Sequence, residues 1–155
     1  MNDGILILEP SVKNYDWGND YFIADLLEQE KSGPRAEMWV GAHRQGSAVI
    51  RQTGEKLCDY LDNNPQFASC DADSFPYLLK ILASAQSLSI QCHPDAVQAK
   101  EGFEAEKPMH EKLDRKDWNY QDVNPKAEML YALTPVTAMC GFRSRCFFLE
   151  LPLFS

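Results

Sequence analysis

Leu88-Ser89-Ile90-Gln91-Cys92-His93-Pro94 alternates apolar and polar side chains. Successive residues of an extended chain point to opposite faces, so Leu88, Ile90 and Cys92 share one face and Ser89, Gln91 and His93 the other. The alternation predicts a β-strand ending at Pro94, with Asp95 capping a helix over roughly Ala96 to Glu106. Gln91 and His93 leave one face of that strand roughly 7 Å apart along the chain, close enough to reach a common ion. Cys92 points away from them. Judged alone, Gln-x-His is also the pattern of an ordinary half-exposed strand.

Outward from this stretch, the same reading gives a chain of short elements. Towards the N-terminus, Phe75-Pro76-Tyr77-Leu78-Leu79-Lys80-Ile81-Leu82 and Ala36 to Val40 read as strands. Glu55 to Leu61 reads as a short helix, and Ile5 to Leu8 as a first strand. Val12 to Asn19 reads as a turn-rich aromatic stretch. Asp20 is the expected cap of a helix with apolar Phe22, Ile23, Leu26 and Leu27 at helical spacing. Towards the C-terminus, Ala127 to Leu133 and Val136 to Phe142 read as two further strands separated by Thr134-Pro135. No βαβ rhythm is present, so the expected class is mainly β with short helices, an antiparallel barrel or sandwich with helical insertions.

At 155 residues and 45% hydrophobic, the chain can bury one core. Its net charge is −8, from 23 acidic and 15 basic residues. That balance argues against nucleic acid or an anionic membrane as partner, since both reward clustered Lys and Arg. A small phosphorylated substrate needs only a few local cations and stays open. The run Ile5 to Leu8 is too short for a signal or membrane segment, and the expected location is cytoplasmic. Cys58, Cys70, Cys92, Cys140 and Cys146 are odd in number, without CxxC spacing, and read as reduced thiols, mostly buried. Oligomeric state is not legible.

Several motifs together carry a resemblance. They are Tyr15-x-Trp17-Gly18, Ala36-Glu37-Met38-Trp39-Val40-Gly41-Ala42-His43, Phe75 to Lys80, Ser89-Ile90-Gln91-Cys92-His93-Pro94, Glu101-Gly102-Phe103, and Tyr120-x-Asp122-x-Asn124-x-Lys126-x-Glu128. In this order, over residues 10 to 143, they resemble the type I phosphomannose isomerases. The resemblance implies a cupin-type β-jelly roll with added helices, interconversion of mannose 6-phosphate and fructose 6-phosphate through an enediol, and a zinc ion. It implies Gln91, His93 and Glu128 as zinc ligands and Lys126 as an active-site residue. An imidazole, a carboxylate and an amide oxygen suit a borderline ion with open positions. Lys80 and Arg143 are the candidate phosphate cations, and Ser89 a candidate contact to sugar or phosphate. Such an enzyme would supply mannose 6-phosphate for activated-mannose synthesis.

Two departures qualify the expectation. The family reads Asn-His-Lys-Pro-Glu where this chain has Asn124-Pro125-Lys126-Ala127-Glu128, so one histidine is replaced by a proline that holds Asn124 extended. The fourth zinc ligand and an arginine of the family come from later sequence. The catalytic domain is therefore expected over 1–143 and incomplete, with 144–155 a non-family apolar tail of a truncated or frameshifted product that self-associates. An inactive metal-binding cupin fragment or interaction module is the alternative. His43 is expected to be structural, His110 solvated, and Tyr15, Trp17 and Trp39 either core aromatics or walls of a sugar pocket.

Overall fold

The computed structural model describes residues 4–114, 117–139 and 141. The chain forms two compact units, Met1–Ile90 and Gln91–Ser155. The expected boundary at 143 and the tail 144–155 lie outside the described residues.

The first unit is built on two small antiparallel sheets. β1 (Leu8–Glu9) pairs with β4 (Val49–Ile50), and β2 (Ser11–Lys13), β3 (Glu37–Gly41) and β5 (Leu78–Leu82) form a sheet in the order β2-β3-β5. Its register puts Val12, Met38 and Ile81 in one row. Those side chains make the inner face, packed with Ala83 and with Ile23, Phe22 and Leu27 from α1 (Phe22–Leu26) and its end. The alternate row, Ser11, Lys13, Glu37, Trp39, Lys80 and Leu82, makes the outer face. β2 therefore takes residues that read as turn, because Val12 fills the inner face opposite Met38.

Asn19, not Asp20, serves the start of α1. Its side-chain oxygen accepts from the backbone N–H groups of Tyr21 and Phe22 at 3.0 and 2.9 Å. The preceding Tyr15-x-Trp17-Gly18 turn is pinned on both sides. Asn19 N–H donates to Ala83, Ala85 N–H to Trp17, and Arg35 N–H to Asn19. A Cβ on Gly18 would come within 2.6 Å of the Ala36 nitrogen, so only glycine allows this approach of two backbones.

A second core lies under α2 (Leu57–Asn63). Leu57, Cys58 and Leu61 pack against Ala42, Ile50 and Ala72. α3 (Pro65–Ala68) follows directly, entered through Pro65. Arg44 ties the end of α2 to the next loop, donating to Asp73 at 2.8 and 2.9 Å and to Asp62 at 2.9 Å. Both carboxyls are held below their ordinary range by the guanidinium, with the Ala72 N–H adding to the effect at Asp62. Cys58 is buried as expected, Cys70 partly so, and Cys92 is exposed.

In the second unit, α4 spans Ala96–Glu106 and carries a full capping box. Asp95 accepts from Val97 and Gln98 N–H at 2.9 and 2.8 Å, and the Gln98 side chain accepts from Asp95 N–H at 3.2 Å. A 3-10 turn, Lys107–Met109, extends it. Among the described residues no helix is long and apolar enough to cross a membrane.

The small antiparallel sheets and short helices agree with the expected class. Three expected strands differ. Residues 88–94, 127–133 and the described part of 136–142 form no strand. Alternation supplies the side-chain pattern of a strand, but a strand also needs a ladder of bonds to a neighbouring backbone, and among the described residues these stretches form none. Their apolar side chains consequently face water: Ile90 is 80% exposed, Met129 95% and Tyr131 84%.

Burying each such side chain contributes about 1.5–3 kcal/mol. The isolated chain is therefore expected to self-associate as its concentration rises. Sedimentation velocity over a concentration series checks this; a monomer with one cooperative unfolding transition contradicts it.

Candidate metal centre

The second unit positions its polar residues through helix α4. Glu106 ends that helix, where the helix dipole disfavours a carboxylate, and its side chain is nevertheless buried. The charge is met instead by the loop that follows. Asn119 N–H and Nδ2 donate to Glu106 Oε1 at 3.1 and 2.7 Å, and Tyr120 N–H to Oε2 at 2.9 Å. Chiefly through the Tyr120 and Asn119 N–H bonds, the carboxyl is pulled down to about 2. One turn earlier in the helix, Gly102 lies under the Tyr120 ring. A Cβ there would meet ring carbons at 2.2 to 2.5 Å, so the Tyr120 ring sits in this place only over a glycine.

His110 is not solvated. It stacks on Trp118, ring centroids 3.6 Å apart, meets Phe103 edge-on at 5.3 Å, and puts Nε2 at 3.5 Å from Glu106. The aromatic sandwich removes it from water more effectively than the polar sequence around it suggests.

From Tyr120 the chain runs back to the Gln91–Pro94 stretch. Asn124 N–H donates to the Asp122 carboxylate at 2.8 Å, and Lys126 N–H to the Pro94 carbonyl at 3.4 Å. This last contact brings Glu128 beside His93. Gln91 Oε1 lies 3.1 Å from His93 Nε2, and Glu128 Oε2 lies 3.7 Å from His93 Nδ1. The two side chains at 91 and 93 thus meet on one side, as alternation requires. Lys126 Nζ sits 3.4 Å from Asp122.

The donor set is chemically suited to a divalent ion. Donors bonded to zinc at about 2.0–2.1 Å stand roughly 3.3 Å apart in a tetrahedron, close to the Gln91–His93 spacing. Glu128 faces the other ring nitrogen, so sharing one ion among all three requires a turn of the imidazole or a swing of Glu128. Glu128 is 65% exposed and has room to move. Among the described residues there is no cluster of three or more His, Cys, Asp or Glu. An amide ligand in the set is consistent with that.

The remaining expected residues are in the first unit or outside the described residues. Lys80 lies on β5 with its ammonium 4.4 Å from the Trp39 ring centroid. Ser89 lies in the extended stretch after β5. Arg143 is outside the described residues. His43 packs edge-on against Trp39 at 5.2 Å and accepts from Gln45 N–H, a structural placement. Glu37 accepts the Trp39 indole N–H at 2.7 Å. Tyr15 stacks with Trp17, and burial followed by the Glu37 charge keeps its hydroxyl protonated beyond the ordinary range.

Sequence reasoning missed Glu106. An acid at the last position of a helix is the available signal, because such a charge must find donors elsewhere. Since its folded pKa of about 2 lies below the ordinary 4.5, its contribution is complete above 4.5 and is lost as pH falls toward 2. Protection of the Asn119 and Tyr120 amides, taken against the intrinsic exchange rate at each pH, is expected to fall over that window, and Glu106→Gln to lower it already at neutral pH. Equal protection in the variant at pH 7 contradicts the role.

Comparison with known proteins adds a second line of evidence. The description of the phosphomannose isomerase type I catalytic domain matches residues 5–145. Mannose-6-phosphate isomerase of Escherichia coli K12 is 35% identical over 143 residues, covering 86% of this chain and 37% of that protein. The Schizosaccharomyces pombe mannose-6-phosphate isomerase is 33% identical over 149 residues, covering 88% and 34%. Among solved structures, the apo mannose 6-phosphate isomerase of Salmonella typhimurium superposes with a TM-score of 0.64 at 34% identity, covering 77% of this chain and 31% of its own. A mannose 6-phosphate isomerase bound with zinc and yttrium gives 0.65 at 34% identity, covering 76% and 32%. The chain spans about a third of the length of these relatives.

Proposed function

The chain belongs to the type I phosphomannose isomerase family, and from that we propose that it carries zinc-binding residues of a sugar-phosphate isomerase acting between mannose 6-phosphate and fructose 6-phosphate. The observation that carries this reading is the meeting of Gln91, His93 and Glu128 side chains, at 3.1 and 3.7 Å, in a chain of this family. A partial cupin-type jelly roll is the architecture proposed to hold them. In the cell such an activity would supply mannose 6-phosphate for activated-mannose synthesis.

Gln91, His93 and Glu128 would hold the ion through an amide oxygen, an imidazole nitrogen and a carboxylate oxygen. Bound zinc supplies a Lewis acid that polarises a sugar carbonyl. The chain's own residues supply the rest. Lys126 is held near this group by its backbone bond to Pro94 and by Asp122, and its ammonium can donate to a sugar oxygen as negative charge develops there. Lys80 and Arg143 are proposed to neutralise the substrate phosphate, and Ser89 to donate to sugar or phosphate oxygen.

A second reading is favoured by one residue. Pro125 stands where the family motif has histidine, and it has neither a titratable side chain nor a backbone N–H. A metal-binding domain without turnover fits that replacement. A phosphoglucose-isomerase-coupled assay of the intact chain, with zinc quantified on the same sample, separates the two. Under the isomerase reading, fructose 6-phosphate forms from mannose 6-phosphate, and His93→Ala lowers both zinc content and turnover by at least about tenfold. Stoichiometric zinc without turnover sinks the isomerase reading for this chain and leaves the metal-binding one.

A further inference from the structure

The loop that carries Lys126 is fixed at successive backbone positions. Asn124 N–H donates to Asp122 Oδ1 at 2.8 Å, Pro125 restricts its own φ and holds Asn124 extended, and Lys126 N–H donates to the Pro94 carbonyl at 3.4 Å. Pro94 is the residue after His93, and Glu128, two residues beyond Lys126, lies 3.7 Å from His93 Nδ1. The backbone of Lys126 is thus tied beside the candidate ligands. Its side chain is a long flexible stem, and the backbone bonds leave its direction open.

Asp122 sets that direction. Its other oxygen, Oδ2, meets Lys126 Nζ at 3.4 Å, and among the described residues the ammonium has no other polar partner. One carboxylate therefore acts through both atoms. Oδ1 closes an Asx turn on the N–H two residues on, and Oδ2 meets the ammonium four residues on. The two side chains are 38% and 42% exposed. A half-exposed ion pair of this kind adds little to stability, so the pair constrains the side chain more than it holds the fold. Bonding one N–H of an ammonium leaves two free to donate elsewhere. A donor held ready in one direction needs less reorganisation when charge develops on a substrate oxygen than one spread over many rotamers.

We infer that Asp122 is a positioning residue for Lys126, fixing through one oxygen the turn from which the lysine rises and through the other the direction of its ammonium. That Lys126 then donates to a sugar oxygen rests on the isomerase reading above; the fixing of its ammonium does not. Asp122→Asn separates the two bonds, since an amide oxygen still accepts from Asn124 N–H but offers the ammonium no anion. Asp122→Ala removes both.

The test follows the intact chain, supplied with zinc, by NMR relaxation of the Lys126 ε-methylene, by the coupled isomerase assay, and by zinc content and thermal unfolding. In the wild type the Lys126 ε-methylene is expected to be more ordered than that of exposed Lys100, and in Asp122→Asn to match it. Asp122→Asn is expected to lower kcat about tenfold with KM within about twofold, zinc content and the unfolding midpoint staying unchanged. Asp122→Ala adds a loss of amide protection at Asn124. Mobility that rises in Asp122→Asn, with no turnover by the wild type, leaves the positioning role standing and sinks the isomerase reading. Equal Lys126 order in wild type and Asp122→Asn, or an active wild type matched in kcat by Asp122→Asn, overturns the positioning role. Loss of zinc or of the cooperative transition in Asp122→Asn also overturns it, because the residue is then structural.

Discussion

The second unit depends on one buried carboxylate. Glu106 closes helix α4 at the end where a negative charge is least welcome, and three N–H donors from Asn119 and Tyr120 compensate it. The consequence is topological. The loop after α4 is bound back onto the helix, the Tyr120 ring is seated on Gly102, and the chain is aimed towards Pro94. Without this anchor, Lys126 and Glu128 would be tied back only by the Lys126 N–H bond to Pro94 and the Glu128–His93 pair, because neither has a strand partner among the described residues. A metal centre assembled from residues far apart in sequence needs such an anchor, since ligand placement within about half an ångström decides affinity.

The first unit solves a different problem with the same economy of elements. Its three-stranded sheet hides Val12, Met38 and Ile81 on one side and displays Trp39 with Lys13, Glu37 and Lys80 on the other. Period-two geometry makes these two faces inseparable. A one-residue slip of β2 would exchange Val12 for Lys13 on the inner face, so the core that fixes register also fixes the charged platform. The Gly18 turn, wedged against Ala36, holds the aromatic Tyr15–Trp17 pair beside this sheet.

Local signals in the sequence were legible at α4 and over 88–93, but not at the start of α1, where Asn19 and not the neighbouring Asp20 takes the free N–H groups. Asp95 with Gln98 specifies the start of α4, and alternation over 88–93 brings Gln91 and His93 to one side. Features set by distant partners were not. The strand pattern at 127–133 says which side chains would share a face but supplies no backbone to pair with. His110 reads as solvated because its polar neighbours in sequence are not its neighbours in space; Trp118 and Phe103 are. Cys92, expected on the opposite face, is exposed, whereas Glu128 joins the candidate ligands by family resemblance and by the fold of the loop, not by spacing.

If Gln91, His93 and Glu128 hold an ion, its donors are nitrogen and oxygen, and the intervening Cys92 thiol takes no part. X-ray absorption at the zinc edge on the metal-loaded chain tests it most directly. The expected spectrum shows a shell of nitrogen and oxygen at about 2.0–2.2 Å with outer-shell scattering from one imidazole. A sulfur scatterer at about 2.3 Å would place Cys92 or another thiol in the shell and contradict it.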